Sequence, residues 1–260
     1  MKARRRTIVA ALAVIAGASL AAPLLGWAQD RFGRASEEIP PNPTYDGRFT
    51  FVRIRYDQSS DGGFGGFRRD IKWAHDYPRG ERHFTKILGE ITDIRSRTAE
   101  STILTLDDPE LTRYPVAYLC EPGFWRPSEA EVLGLRNYLL KGGFIIFDDF
   151  AGNQWENFQA QIRRVFPDLQ PMRMTPDDKV FDAFYHITTL NYNHPYFGMP
   201  SEFWGIYENN DRDGRLLAMI NYNNDLSEYW EFSDEQFFPV NMSNDAYKLG
   251  INYLVYALTR

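Results

Sequence analysis

Residues 127–149 read PSEAEVLGLRNYLLKGGFIIFDD, a helix and a strand with punctuation at both joins. Ser128 and Glu131 form a capping box, in which each side chain answers the other residue's free backbone amide. Val132, Leu135 and Leu139 mark one helical face, and Gly142-Gly143 stops the helix. Phe144-Ile145-Ile146-Phe147 then runs without polar alternation. A strand of that kind is buried on both faces, which predicts a largely parallel sheet covered by helices on each side.

The flanking sequence continues the alternation. Phe49 to Tyr56 predicts a first strand, and Arg82 to Thr92 a helix with Phe84, Ile87, Leu88 and Ile91 on one face. Ser101 to Leu106 and Val116 to Cys120 read as strands, and Trp155 to Phe166 as a helix stopped by Pro167. The last third is less regular. Val180 to Ile187, Phe203 to Glu208 and Leu216 to Tyr222 read as strands, and Ser243 as the cap of a final helix carrying Ala246, Leu249, Tyr253 and Leu254. The fold class that follows is α/β, a doubly wound, mostly parallel sheet with an irregular C-terminal third, in a single domain over residues 49–260.

Residues 1–28 read as an export signal. Lys2, Arg4, Arg5 and Arg6 precede an uncharged apolar run from Ile8 to Leu25, and Gly26-Trp27-Ala28 offers small residues before a cut. Arg5-Arg6 resembles a twin-arginine start, and an uncleaved anchor is the rival reading. Residues 29–48, with Pro40, Pro41 and Pro43, read as a polar linker.

Composition narrows the function classes. With 43% apolar and 15% aromatic residues in 260, the chain can fill a core, which excludes disorder throughout. A single cysteine excludes an intramolecular disulfide framework and a multi-cysteine zinc site. Taking the four basic signal residues from the total of 29 leaves 25 against 35 acidic ones. That acidic balance disfavours nucleic acid and anionic lipid as partners, leaving membrane contact only through an uncleaved signal.

In an open parallel sheet, ligands bind beyond the carboxyl ends of the strands. After the first strand this selects Asp57, the loop Gly62-Gly63-Phe64-Gly65-Gly66, and Arg68, Arg69 and Trp73. After Val116 to Cys120 it selects Glu121 and Trp125, and after the apolar strand Asp148 and Asp149. The candidate ligand-binding residues are therefore Arg68, Trp73, Glu121, Trp125, Asp148 and Asp149. The competing readings are a solvated glycine loop without a phosphate-binding pattern, tryptophans used in the core, and one aspartate bonding loop amides because neighbours on a strand face opposite ways. No His-x-x-x-His pattern accompanies the aspartates, so no metal and no cofactor is expected; His186 and His194 read as structural. Cys120 is not a nucleophile on an elbow, because seven residues separate it from the helix cap at Ser128.

Phe51 to Tyr56, Trp73 to Pro78, Tyr114-Pro115, Gly142 to Phe150, Arg163 to Pro167 and Gly250 to Ala257 resemble the bacterial family called domain of unknown function 4159. The resemblance implies a flavodoxin-like sheet similar to that of class I glutamine amidotransferases, in proteins often exported or membrane-attached. In the amidotransferases the nucleophilic cysteine sits on the elbow that Asp148-Asp149 takes here, so glutamine hydrolysis is not expected. The leading expectation is a non-catalytic envelope domain binding a small molecule, a glycan or a protein. The alternatives are an aspartate-dependent, metal-assisted hydrolase, and a structural subunit with an aromatic surface at Tyr229, Trp230, Phe232, Phe237 and Phe238.

Overall fold

Apolar runs too short for helices and rich in Val, Ile and Phe become the strands β1 (Val52–Ile54), β2 (Thr102–Leu104), β3 (Val116–Cys120), β4 (Phe144–Phe150), β5 (Met172–Arg173), β6 (Glu202–Tyr207) and β7 (Leu216–Tyr222). The helices are α1 (Arg79–Ile91), α2 (Glu129–Leu140), α3 (Gln154–Val165), α4 (Leu226–Glu231) and α5 (Val240–Thr259). This computed structural model describes residues 39–58 and 70–260. The export signal, residues 29–38 of the polar linker, the glycine loop and Arg68 lie outside the described residues.

The strands form one 7-stranded sheet in the order β2-β1-β3-β4-β7-β6-β5. β2, β1, β3, β4 and β7 are parallel neighbours, whereas β6 runs antiparallel to β7 and β5 antiparallel to β6. The sheet is therefore mixed, and the antiparallel pair is what the sequence showed as an irregular last third. Side chains alternate between two cores. Ala117, Leu119, Ile145 and Phe147 face α2 and α3. Val116, Tyr118, Cys120, Phe144 and Ile146 face α1, α4 and α5. The central strands are thus buried on both faces, which is why they lack polar alternation.

The capping box of Ser128 and Glu131 is formed, and Gly142 ends α2 at φ +112°, a conformation strained for any residue with a Cβ. Gly134 lets α2 approach the chain after β2, since a Cβ there would lie 2.1 Å from the Leu106 carbonyl oxygen. Three expectations need correction. Residues 180–187 are not a strand: Lys179–Asp182 form a 3-10 turn, because adjacent Val180 and Phe181 both enter the core and a strand would turn one outward. Ser243 does not cap α5; the helix begins three residues earlier, after Pro239. The end of the expected linker is docked, not free. Asn42 donates to the Ile103 carbonyl and accepts from its amide, both at 2.8 Å, satisfying β2 at its open edge.

Candidate functional site

Parallel pairing brings the carboxyl ends of β1, β3 and β4 to one edge. The backbone joins them there. Glu121 donates its amide to the Asp148 carbonyl at 3.0 Å, and Arg126 donates to the Asp57 carbonyl at 3.1 Å. The Tyr56 hydroxyl lies 2.8 and 2.7 Å from the Cys120 and Glu121 carbonyls. The loops of Asp57, Glu121 and Asp148 therefore share an edge.

Three residues at that edge adopt positive φ without being glycine: Asp76 (62°), Glu121 (47°) and Asp149 (59°). Such backbone is costly, of order 1–3 kcal/mol each, and clusters at functional sites. Asp149 also sits at a bulge: Phe147 pairs with Ile220 but Phe150 with Tyr222, so β4 carries one residue more than β7. A bulge re-aims the side chains beside it.

The bulge gives the two aspartates different work. Asp148 is fully buried, and its Oδ2 accepts from the Tyr118 hydroxyl (2.8 Å) and the Leu226 and Ser227 amides (2.9 and 3.2 Å). It pins the start of α4 to the sheet; burial nevertheless lifts its carboxyl to about 6 against those hydrogen bonds. Among the described residues, Asp149 receives the Cys120 thiol, at 3.4 Å, with His75 Nδ1 at 3.9 Å. Burial, then the carboxylates of Glu121 and Asp76, push its pKa well above the usual range.

Around Asp149 stand groups that the sequence did not single out. His75 is held at both ring nitrogens, with Nε2 2.6 Å from Asp70 Oδ1 and Nδ1 2.6 Å from Glu121 Oε1. Burial opposes its charge, but Glu121 and Asp70 prevail and raise its pKa well above 6.5. With both nitrogens donating, the ring is an imidazolium. Lys72 completes this paired set, at 2.7 Å from Asp70 and 3.2 Å from Glu121.

On the other side of Asp149 the carboxylates outnumber the cations. One oxygen each of Asp76, Glu228 and Glu231 lie within 4.8 Å of one another. Burial and Asp76 push Glu228 up to about 11 and Glu231 up to about 8. Asp225 is buried close by, caps α4 through the Glu228 amide at 3.0 Å, and is raised by burial and Asp149. Among nearby cations, Arg53 is fully buried on Glu81 at 2.6 Å, and Arg79 reaches Asp234 and Glu235, both at 2.7 Å.

Of the sequence candidates, the structure brings Glu121, Asp148 and Asp149 together. Trp125, a candidate ligand-binding residue, instead takes the competing core position: it is 0% exposed and packs on Phe147, with ring centroids 5.9 Å apart. Trp73 is likewise buried in the core facing α2 and α3, and contributes its carbonyl to Arg53 at 3.0 Å, although it also borders an open groove with Arg55, Asp57 and Asp107. Arg68 lies outside the described residues. His186 is exposed on Asp182, and burial drives the pKa of His194 down to about 4. Cys120 is fully buried, and its thiol is pushed well up by burial and by Asp149. Of the C-terminal aromatic run, Tyr229, Trp230 and Phe232 are buried, while Phe237 is 51% exposed.

The fold and this edge define an α/β domain with a cluster of buried carboxylates at the carboxyl ends of parallel strands. The sequence model of the family described as Domain of unknown function (DUF4159) matches residues 50–258, and the chain belongs to that family. None of the curated proteins compared with it matches. Among the described residues, no helix is long and apolar enough to cross a membrane.

Proposed function

We propose that this chain is an exported, amidotransferase-like domain of the cell envelope that binds a positively charged ligand at the carboxyl edge of its sheet and hydrolyses no glutamine. The observation that carries the reading is the run of carboxylates from Glu121 through Asp149 and Asp76 to Glu228 and Glu231, which outnumber the cations beside them, Lys72 and His75 at one end and Arg53 and Arg79 near the other. Such a cluster repels anions and attracts cations. The fold reading is supported by the parallel block β2-β1-β3-β4-β7, which has the flavodoxin-like order once the antiparallel edge is set aside. The absence of amidotransferase chemistry is supported by Cys120: a nucleophilic thiolate needs a positive neighbour, and this thiol is buried against a carboxylate. The export reading rests on the basic, apolar and small-residue sequence of 1–28.

A second reading, an aspartate-dependent hydrolase, is favoured by one observation. Asp149 takes positive φ at a strand-end bulge, and its raised pKa suits a general acid beside the His75 ring. Calorimetric titration with an amine and metal-cation panel, run on wild type and Asp149→Asn, tests the first reading, with ammonia release from glutamine measured in parallel. Cation binding weakened in the variant and no ammonia are expected. Glutamine turnover, or cation binding indifferent to Asp149, overturns the proposal. Hydrolysis of ester, amide or glycoside substrates lost in Asp149→Asn establishes the second reading.

A further inference from the structure

On the face of the sheet that carries α2 lies an open groove of about 510 Å³, a size usual for small-ligand clefts. Arg55 and Asp57 at the exit of β1 line it, with Thr105 and Asp107 at the exit of β2 and Ile71 and Trp73 beyond. None of the clustered carboxylates around Asp149 does.

The neutral polar side chains of the groove are already spent. Gln58 bonds the Asp70 carbonyl (2.7 Å) and the Lys72 amide (3.0 Å), Thr105 donates to Asp107 (2.6 Å), and Ser128 accepts the Glu131 amide (3.2 Å). The Tyr56 hydroxyl is engaged on the Cys120 and Glu121 carbonyls, and the Glu131 carboxylate on the Ser128 amide. What remains are charges. The Arg55 guanidinium and the Asp57 carboxylate are exposed and have no side-chain partner among the described residues, while Asp107 receives the Thr105 hydroxyl alone.

We propose that this groove binds a short peptide with free termini, its carboxylate answered by Arg55 and its ammonium by Asp57 and Asp107. This is a second site, and it does not rest on the cationic-ligand reading. An anion alone would face two carboxylates, and a cation alone would face Arg55; a ligand carrying both charges answers all three. A neutral sugar needs uncharged hydrogen-bonding partners, and those of the groove are taken. Arginine pairs its fork of N–H groups with a carboxylate, and Ile71 and Trp73 give the side chains of a peptide an apolar wall.

The fold holds these charges in place. The Arg55 amide donates to the Leu104 carbonyl at 2.9 Å, which sets the exit of β1 beside that of β2. The Arg126 amide on the Asp57 carbonyl ties the same exit to the turn that enters α2, and the two bonds of Gln58 fix the return of the chain at Ile71. A groove organised before binding spends less on ordering its walls.

The test is calorimetric titration of the purified chain with the tripeptide alanyl-leucyl-alanine, its C-terminal amide and its N-acetyl derivative. Binding of the free tripeptide is expected, weakened about tenfold or more when either end is blocked. Arg55→Gln should weaken the free tripeptide as much as amidation does, and should bind the amide no worse than wild type. Asp57→Asn with Asp107→Asn should reproduce the effect of acetylation in the same way. All three positions are exposed, so thermal melts of the variants should match wild type. No binding of the free tripeptide at about 10 mM, binding indifferent to Arg55, or maltotriose bound as tightly overturns the proposal. Tripeptide binding lost in Asp149→Asn but kept in Arg55→Gln places the peptide among the clustered carboxylates, which refutes the groove and leaves the cationic-ligand reading standing.

Discussion

Asp148 and Asp149 are adjacent and chemically identical, and their replacement by alanine should have opposite consequences. Asp148→Ala strips the acceptor from the buried Leu226 and Ser227 amides, while the Tyr118 hydroxyl keeps Ser227 Oγ at 2.7 Å. An unsatisfied buried donor costs about 1–3 kcal/mol, so the two together come to roughly 4 kcal/mol. Against this stands the charge. Burial lifts Asp148 from 3.8 to about 6. A carboxyl raised on folding contributes stability that is full below its unfolded pKa and lost as pH rises through the folded value, here a loss of about 3 kcal/mol. Alanine escapes that loss, so the net cost of Asp148→Ala should be about 4 kcal/mol near pH 4 and only about 1 kcal/mol near pH 7.5. Asp149→Ala removes no amide contact and relieves repulsion from Glu121 and Asp76, so it should leave stability unchanged or raised at neutral pH. Urea denaturation of both variants at the two pH values measures this. A loss in Asp149→Ala as large as that in Asp148→Ala at the acidic pH would refute the division of labour.

The buried pair of Arg53 and Glu81 gives a second prediction. Arg53→Met strands an unpaired buried carboxylate and should cost about 3–5 kcal/mol, while the double variant with Glu81→Leu should recover most of it in thermal melts. His194 accepts the Tyr196 amide at Nδ1 (3.2 Å) and is held at about 4 by burial. Its neutral form contributes stability that is full above the unfolded value of 6.5 and is lost as pH falls towards that of the folded state, about 3 kcal/mol in all; His194→Gln should flatten that part of a stability–pH profile. Gly134→Ala forces a Cβ to 2.1 Å from the Leu106 carbonyl oxygen and should cost about 1–3 kcal/mol by denaturant titration, since backbone there has nowhere to move.

The central strands and their capped helix were legible because local signals and burial agree there. The box at Ser128 and the run Phe144 to Phe147 report on their own surroundings without help from distant residues. Glu121, Asp148 and Asp149 were legible through the rule that ligands bind beyond strand carboxyl ends. His75, Asp76, Glu228 and Glu231 were not, because the cluster is made when α4, late in the chain, returns to the turn before α1. One sign was available. Asp225-Leu226-Ser227-Glu228-Tyr229-Trp230-Glu231 places acids three residues apart beside a Tyr-Trp pair, and a helix that buries its aromatics and its glutamates together is not an ordinary solvated one. Trp125 follows the right strand, but a large indole near a sheet edge can fill space beneath the loops, and sequence alone does not tell that from lining a cleft, as Trp73 does in part.

The cationic-ligand reading is tested most directly by calorimetric titration of the purified chain with a panel of amines and metal cations, beside a matched panel of anions. The account predicts that a cation binds, that it binds less well to Asp149→Asn, and that the anions do not bind. Anion binding, or cation binding indifferent to Asp149, would contradict it.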